Sequence, residues 1–123
     1  MIYKTKVFDR WASDQGLTDL NLCNAVSEMV QGLYDAELGG NLVKKRVART
    51  GQGKRGGFRT LVATNKGDKW FFVFGFAKNE QDNISKKEKE ALKKLADYLL
   101  ALSPQALLQA QLNLELIEVK CHE

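Results

Sequence analysis

Long apolar runs are missing from this chain. No stretch approaches the ~18 consecutive apolar residues of a membrane span, so no membrane partner is expected. The N-terminus, MIYKTKVFDRWA, carries no signal-peptide apolar region and starts like a strand. Cysteine is scarce. Cys23 and Cys121 stand far apart, without CxxC or Cys/His spacing, which argues against a metal site and a disulfide framework. The expected reading is a free buried Cys23, an incidental Cys121 and a reducing cytoplasm. Histidine occurs once, at His122 in the tail, where it is read as a tail residue rather than a catalyst. No carboxylate pair sits among the cations, and Glu80 and Asp82 read as turn or cap residues. There are no internal repeats and no low-complexity linker. At 123 residues the chain is expected to form one domain over 1–123, with a core over about 1–102 and a C-terminal extension over 103–123.

What the chain does have is positive charge in one place. From Asn41 to Asn79 there are ten Lys/Arg against one acid, Asp68, or about +9, while the whole chain carries +4. The remainder is therefore net acidic. Such a split suggests a positive face for a polyanion, nucleic acid above all. The acidic region around Asp9, Asp14, Asp19, Glu28, Asp35 and Glu37 is expected to pack away from that face.

The pattern predicts an α+β domain of order β-α-β-β-β-α. Ile2 to Val7 alternates as a strand, followed by a polar loop. Thr18 caps a helix running to about Glu37. Leu42 to Arg49 reads as a second strand, and Thr50 to Gly57 as a glycine-rich mobile loop. Phe58 to Asn65 and Lys69 to Ala77 read as strands joined by a tight hairpin at Asn65-Lys66-Gly67-Asp68. The last of these is apolar at nearly every position, which implies a central strand covered on both faces. Ser85 and Glu88 form a capping box for a helix over about Lys86 to Leu102. Pro104 opens a short second helix, and LELIEV reads as a weak edge strand. Short turns between consecutive strands imply a mainly antiparallel sheet, with helices on one face.

A two-residue turn would pair Asn65 with Asp68 and set Arg59 opposite Phe74. Arg59, Leu61 and Ala63 would then share a face with Trp70, Phe72, Phe74, Phe76 and Lys78. Lys54 and Arg55 sit on the glycine loop ahead of Arg59. Cleaving RNA needs a base for the 2′-hydroxyl, an acid for the leaving oxygen and charge at the phosphate. Arg and Lys supply these only if a lysine is depressed enough to serve as base. The glycine loop lacks the GxxxxGK(S/T) order of a P-loop, and the aromatic strand is no RNP motif. Its phenylalanines read as core.

The segments LVKKRVAR, GQGKRGGFRT and FGFAKNEQDNIS, in this order, resemble the RelE-like toxins of bacterial toxin–antitoxin systems. The resemblance is closest to the HigB-type branch and covers about residues 1 to 102. It implies a two-layer domain with a curved sheet. It further implies a ribosome-dependent endoribonuclease, an mRNA interferase that cuts translated mRNA by metal-free 2′-hydroxyl attack without a cofactor. By motif, Arg59 matches the arginine that holds the scissile phosphate and Lys78 the cation ending the following strand. Lys54 and Arg55 match the loop cations that act as base or as ribosomal RNA contacts, and Arg49 joins them. Lys44, Lys45, Arg46 and Lys66 are general electrostatics for RNA. The expected partners are mRNA, the ribosome and a cognate antitoxin, a small helix-turn-helix protein. The chain lacks the tyrosine that follows the last catalytic cation in the best-known pattern, and the histidine used elsewhere. Two other functions compete: a non-enzymatic topoisomerase poison resembling ParE, and a binding or regulatory module without catalysis.

Overall fold

The computed structural model describes residues 1–48, 57–78, 81 and 83–122. Ten elements follow in order: β1 (Ile2–Thr5), α1 (Lys6–Gln15), α2 (Asp19–Val30), β2 (Ala36–Gly39), β3 (Leu42–Val47), β4 (Phe58–Thr64), β5 (Trp70–Ala77), α3 (Lys86–Leu100), α4 (Pro104–Leu112) and β6 (Leu116–Glu118). The strands form one sheet of order β2-β3-β4-β5-β1-β6. All pairings are antiparallel except β1 with β5. The fold is α+β with a mainly antiparallel sheet.

The helices occupy both faces of the sheet, not one. Phe8 and Ala12 of α1 and Leu22, Ala25, Val26 and Met29 of α2 pack with Val43, Val47, Phe58, Val62, Trp70 and Phe72. On the other face, Ala96 and Leu99 of α3 and Leu107 and Ala110 of α4 pack with Leu42, Leu61, Ala63, Phe71 and Val73. The cause lies in the strands. β4 is buried at all seven positions, and both faces of β5 are apolar. Leaving either face in water would forfeit about 25 cal/mol per Å² of apolar surface.

Two elements differ from the sequence reading. The expected loop after the first strand is α1. Its Thr5 N-cap accepts from the Phe8 N–H, and Gly16 ends it at φ 76°. The long helix expected up to Glu37 ends at Val30, and β2 follows, antiparallel to β3. The capping boxes Thr18–Asn21 and Ser85–Glu88 are both closed, and Pro104 opens α4.

The β4–β5 register also differs. Thr64 pairs with Trp70, so residues 65–69 make the turn. Lys66, not Gly67, takes the positive φ, at 65°. At Gly67 an added Cβ would lie 2.9 Å from Asn65 Oδ1, which accepts from the Gly67 N–H, so a larger residue would displace that side chain. A bulge between Leu61 and Val62 then sets Arg59 opposite Phe76 instead of Phe74. At the Arg59 end the slip is two residues, an even number, so Arg59 keeps the face of Phe74 and Phe76. At the turn end it is one residue, so Ala63 shares a face with Phe71, and Trp70 and Phe72 turn to the other core.

The two cysteines form a disulfide, against the expectation of free thiols. The tertiary fold brings Cys121 beside α2, with their Cα atoms 5.7 Å apart across a sequence separation of 98. The backbone N–H of Lys120 donates to Asp19 Oδ2 at 2.9 Å and that of Val119 to the Ile2 carbonyl at 2.9 Å, which fixes the approach. No helix among the described residues is long and apolar enough to cross a membrane.

Candidate nucleic-acid interface

The acidic half of the chain folds back onto the basic half rather than away from it. Lys45 is only 3% exposed. Its Nζ lies 2.7 Å from Glu28 Oε1 and 2.8 Å from the Leu33 carbonyl. Lys45 therefore faces α2, and its charge is spent there, contrary to its expected place on an RNA-binding face. Arg46 Nε lies 3.3 Å from Asp35 Oδ2. Lys66 Nζ donates to Glu37 Oε1 at 2.6 Å and to the Tyr34 hydroxyl at 2.8 Å. The Lys66 hydrogen bonds and charge hold the Glu37 carboxyl below its ordinary value. Glu37 and Tyr34 in turn raise Lys66.

Among the described residues, Lys44, Arg59 and Lys78 make no ion pair. Lys44 is half-buried on β3 and Lys78 is exposed just beyond β5. Arg59 is different from both. It sits on β4 between its register partners Arg46 on β3 and Phe76 on β5. It is 6% exposed, and its Nη1 is buried without a hydrogen-bond partner among the described residues. An unpartnered buried donor on a permanent cation costs more than on a neutral group. It is the feature expected of a group whose partner is an incoming anion. The guanidinium's planar fork matches a phosphate.

Arg59 and Lys78 come to the same end of the sheet. Phe76 shares the face of Arg59, and Lys78 follows two residues later. Arg49, Lys54 and Arg55 lie outside the described residues. Among the described residues, no cluster of His, Cys, Asp or Glu has the makings of a metal site.

Sequence reasoning missed Trp11. Its ring lies close against Gly75 of β5, where an added Cβ would come within 2.1 Å of it. It also meets Phe58 edge-on at a centroid distance of 5.3 Å. The signal was present in the spacing of Phe8, Trp11 and Ala12, which marks one face of a helix.

Comparison with protein families gives a match to the family described as "RelE toxin of RelE / RelB toxin-antitoxin system", over residues 1–119. The chain belongs to this family: it is a RelE-like toxin of a toxin–antitoxin system, and a cognate antitoxin is implied. The match is to the family as a whole. Comparison with curated proteins gives no match.

Proposed function

We propose that the chain is a ribosome-dependent endoribonuclease that cuts translated mRNA with its own cations. The buried, unpartnered Nη1 of Arg59 supports this reading most directly. In the proposed reaction the 2′-hydroxyl attacks the adjacent phosphorus and loses its proton to a base. The bond from phosphorus to the 5′-oxygen breaks, and an acid protonates that oxygen. The products are a 2′,3′-cyclic phosphate and a free 5′-hydroxyl. Charge accumulates on the non-bridging oxygens in between, and a preorganised guanidinium stabilises it there more than in the ground state.

In this reading Arg59 holds the phosphate, Lys78 adds charge or protonates the leaving oxygen, and Lys54 is the base. Arg55 and Arg49 contact ribosomal RNA. Lys44, Arg46 and Lys66 contribute field only, and Arg46 and Lys66 contribute less than free cations because carboxylates accompany them. The antitoxin is proposed to be a small helix-turn-helix protein.

The test is primer extension on mRNA after induction, with wild type and Arg59→Ala compared. Cuts confined to translated frames, falling at least a hundredfold in the variant, are expected. Cuts that persist in Arg59→Ala overturn the assignment. An absence of cuts together with gyrase inhibition by the purified protein would favour the topoisomerase-poison reading.

A further inference from the structure

Among the described residues, no strand pairs with the outer edge of the half of β5 nearest Arg59. β1 pairs only with Trp70, Phe71 and Phe72, then turns into α1. Beyond the bulge, the Ala77 carbonyl accepts from the Gln81 N–H at 3.2 Å rather than from a strand. Backbone groups alternate along a strand, so Gly75, two residues back, turns its N–H and C=O to the same edge. Beside that edge lies a cavity of about 280 Å³, lined chiefly by Val7, Trp11, Phe74, Gly75, Phe76 and Gln81.

We propose that this cavity binds one nucleobase of the RNA whose phosphate lies on Arg59. The size is the first argument. Sites for drug-sized ligands occupy roughly 300–1,000 Å³, and this one falls just below that range, suited to a single planar ring. The walls are the second. Trp11 and Phe74 present aromatic surface for stacking, and every base has a π-face. The Gly75 backbone and the Gln81 amide present donors and acceptors for a base edge. Gln81 is oriented by its Nε2, which donates to the Asn83 carbonyl at 3.0 Å. Glycine at 75 is what lets the indole and the strand backbone come together at one place. The position is the third argument. Phe76 lines the cavity and is the register partner of Arg59, so base site and phosphate site lie at the same end of the β4–β5 pair, on neighbouring strands. The base site would give the cut a nucleotide preference that Arg59, which sees only phosphate, lacks. The inference rests on the RNA-directed reading of Arg59 for the phosphate but not for the base.

Trp11 is its own reporter. Trp70 is 4% exposed on β5, and Trp70→Phe leaves Trp11 as the sole tryptophan. The fluorescence of this protein is titrated with the four nucleosides, the four nucleoside 3′-monophosphates, ribose 5-phosphate and a short extended peptide. Saturable quenching by at least one nucleoside and its nucleotide, and none by ribose 5-phosphate, is expected. Val7→Phe narrows the mouth from a position that is 69% exposed, where folding tolerates it. It should weaken nucleoside binding by about tenfold or more. Arg59→Ala should weaken the nucleotide and leave the nucleoside unchanged. A response to the peptide alone would make the edge a strand-pairing site and overturn the proposal. So would mRNA cleavage by a protein whose Trp11 ignores all nucleosides, while the nuclease reading survives. Nucleoside binding without mRNA cleavage would uphold the base site and sink the nuclease reading.

Discussion

At the scale of single residues, burial separates cations that the sequence presents as equals. Lys45 and Arg59 are both buried on neighbouring strands, yet among the described residues Lys45 has a carboxylate partner and Arg59 has none, and the Arg59 Nη1 makes no hydrogen bond. Lys45→Ala removes a partner of Glu28, whose side chain is a third exposed. The expected loss is about 1–3 kcal/mol of stability, seen as a lower urea midpoint. The salt dependence of RNA binding should stay the same. Arg59→Met should do the reverse. It removes a donor whose burial costs about 1–3 kcal/mol while keeping much of the side-chain volume. A melting temperature equal to or above wild type is expected together with loss of mRNA cleavage. A large drop in melting temperature would mean that Arg59 is structural.

At the scale of elements, ion pairs and caps tie the strands to what precedes them. The Glu37–Lys66 pair joins β2 to the β4–β5 turn. Glu37 has a lowered value in the fold, so its contribution is present above the unfolded carboxyl range and is lost as pH falls through the folded value. Lys66 has a raised value, so its contribution is present below the unfolded lysine range and is lost as pH rises through the folded value. Amide exchange in β2 should therefore accelerate at both extremes, and Lys66→Met should flatten both limbs. Both groups are exposed to solvent, so the effect belongs to local opening and not to global stability. For α3, Ser85→Ala opens the capping box and should cost about 1 kcal/mol, read as a lower melting temperature. Its glycine-free apolar stripe and capping box made α3 legible from the chain. α1 was equally marked by Thr5, Phe8, Trp11 and Gly16, but its ten residues are short enough to pass for a polar loop. β2 could not be read at all. It has four half-buried or exposed residues, and only pairing with β3 makes it a strand.

At the scale of the whole molecule, the C-terminal segment is bound twice, by β6 against β1 and by the Cys23–Cys121 disulfide. Closing a loop of 98 residues is worth up to about 4–5 kcal/mol in the chain-entropy account. Cys121→Ser, or reduction of the wild type, should lower the melting temperature and open the C-terminal segment to carboxypeptidase. Unchanged stability on reduction would show that β6 and the Asp19–Lys120 contact hold the segment alone. Cysteine spacing carries no sign of this bond, because a sequence separation of 98 lies between its two ends and only the fold joins them.

The sequence by itself determined the elements that local chemistry governs: the capped helices, the apolar strands, the proline start of α4 and the concentration of cations between Asn41 and Asn79. It also carried the RelE family pattern. Only the tertiary structure decided which cations remain available. Lys45, Arg46 and Lys66 meet carboxylates from a preceding segment, and that meeting depends on where α2 and β2 lie against the sheet. The structure also decided the face of each β4–β5 side chain, because one bulged residue reverses the alternation between the turn and Arg59. Charge is a property of the chain, while an unpaired charge is a property of the fold.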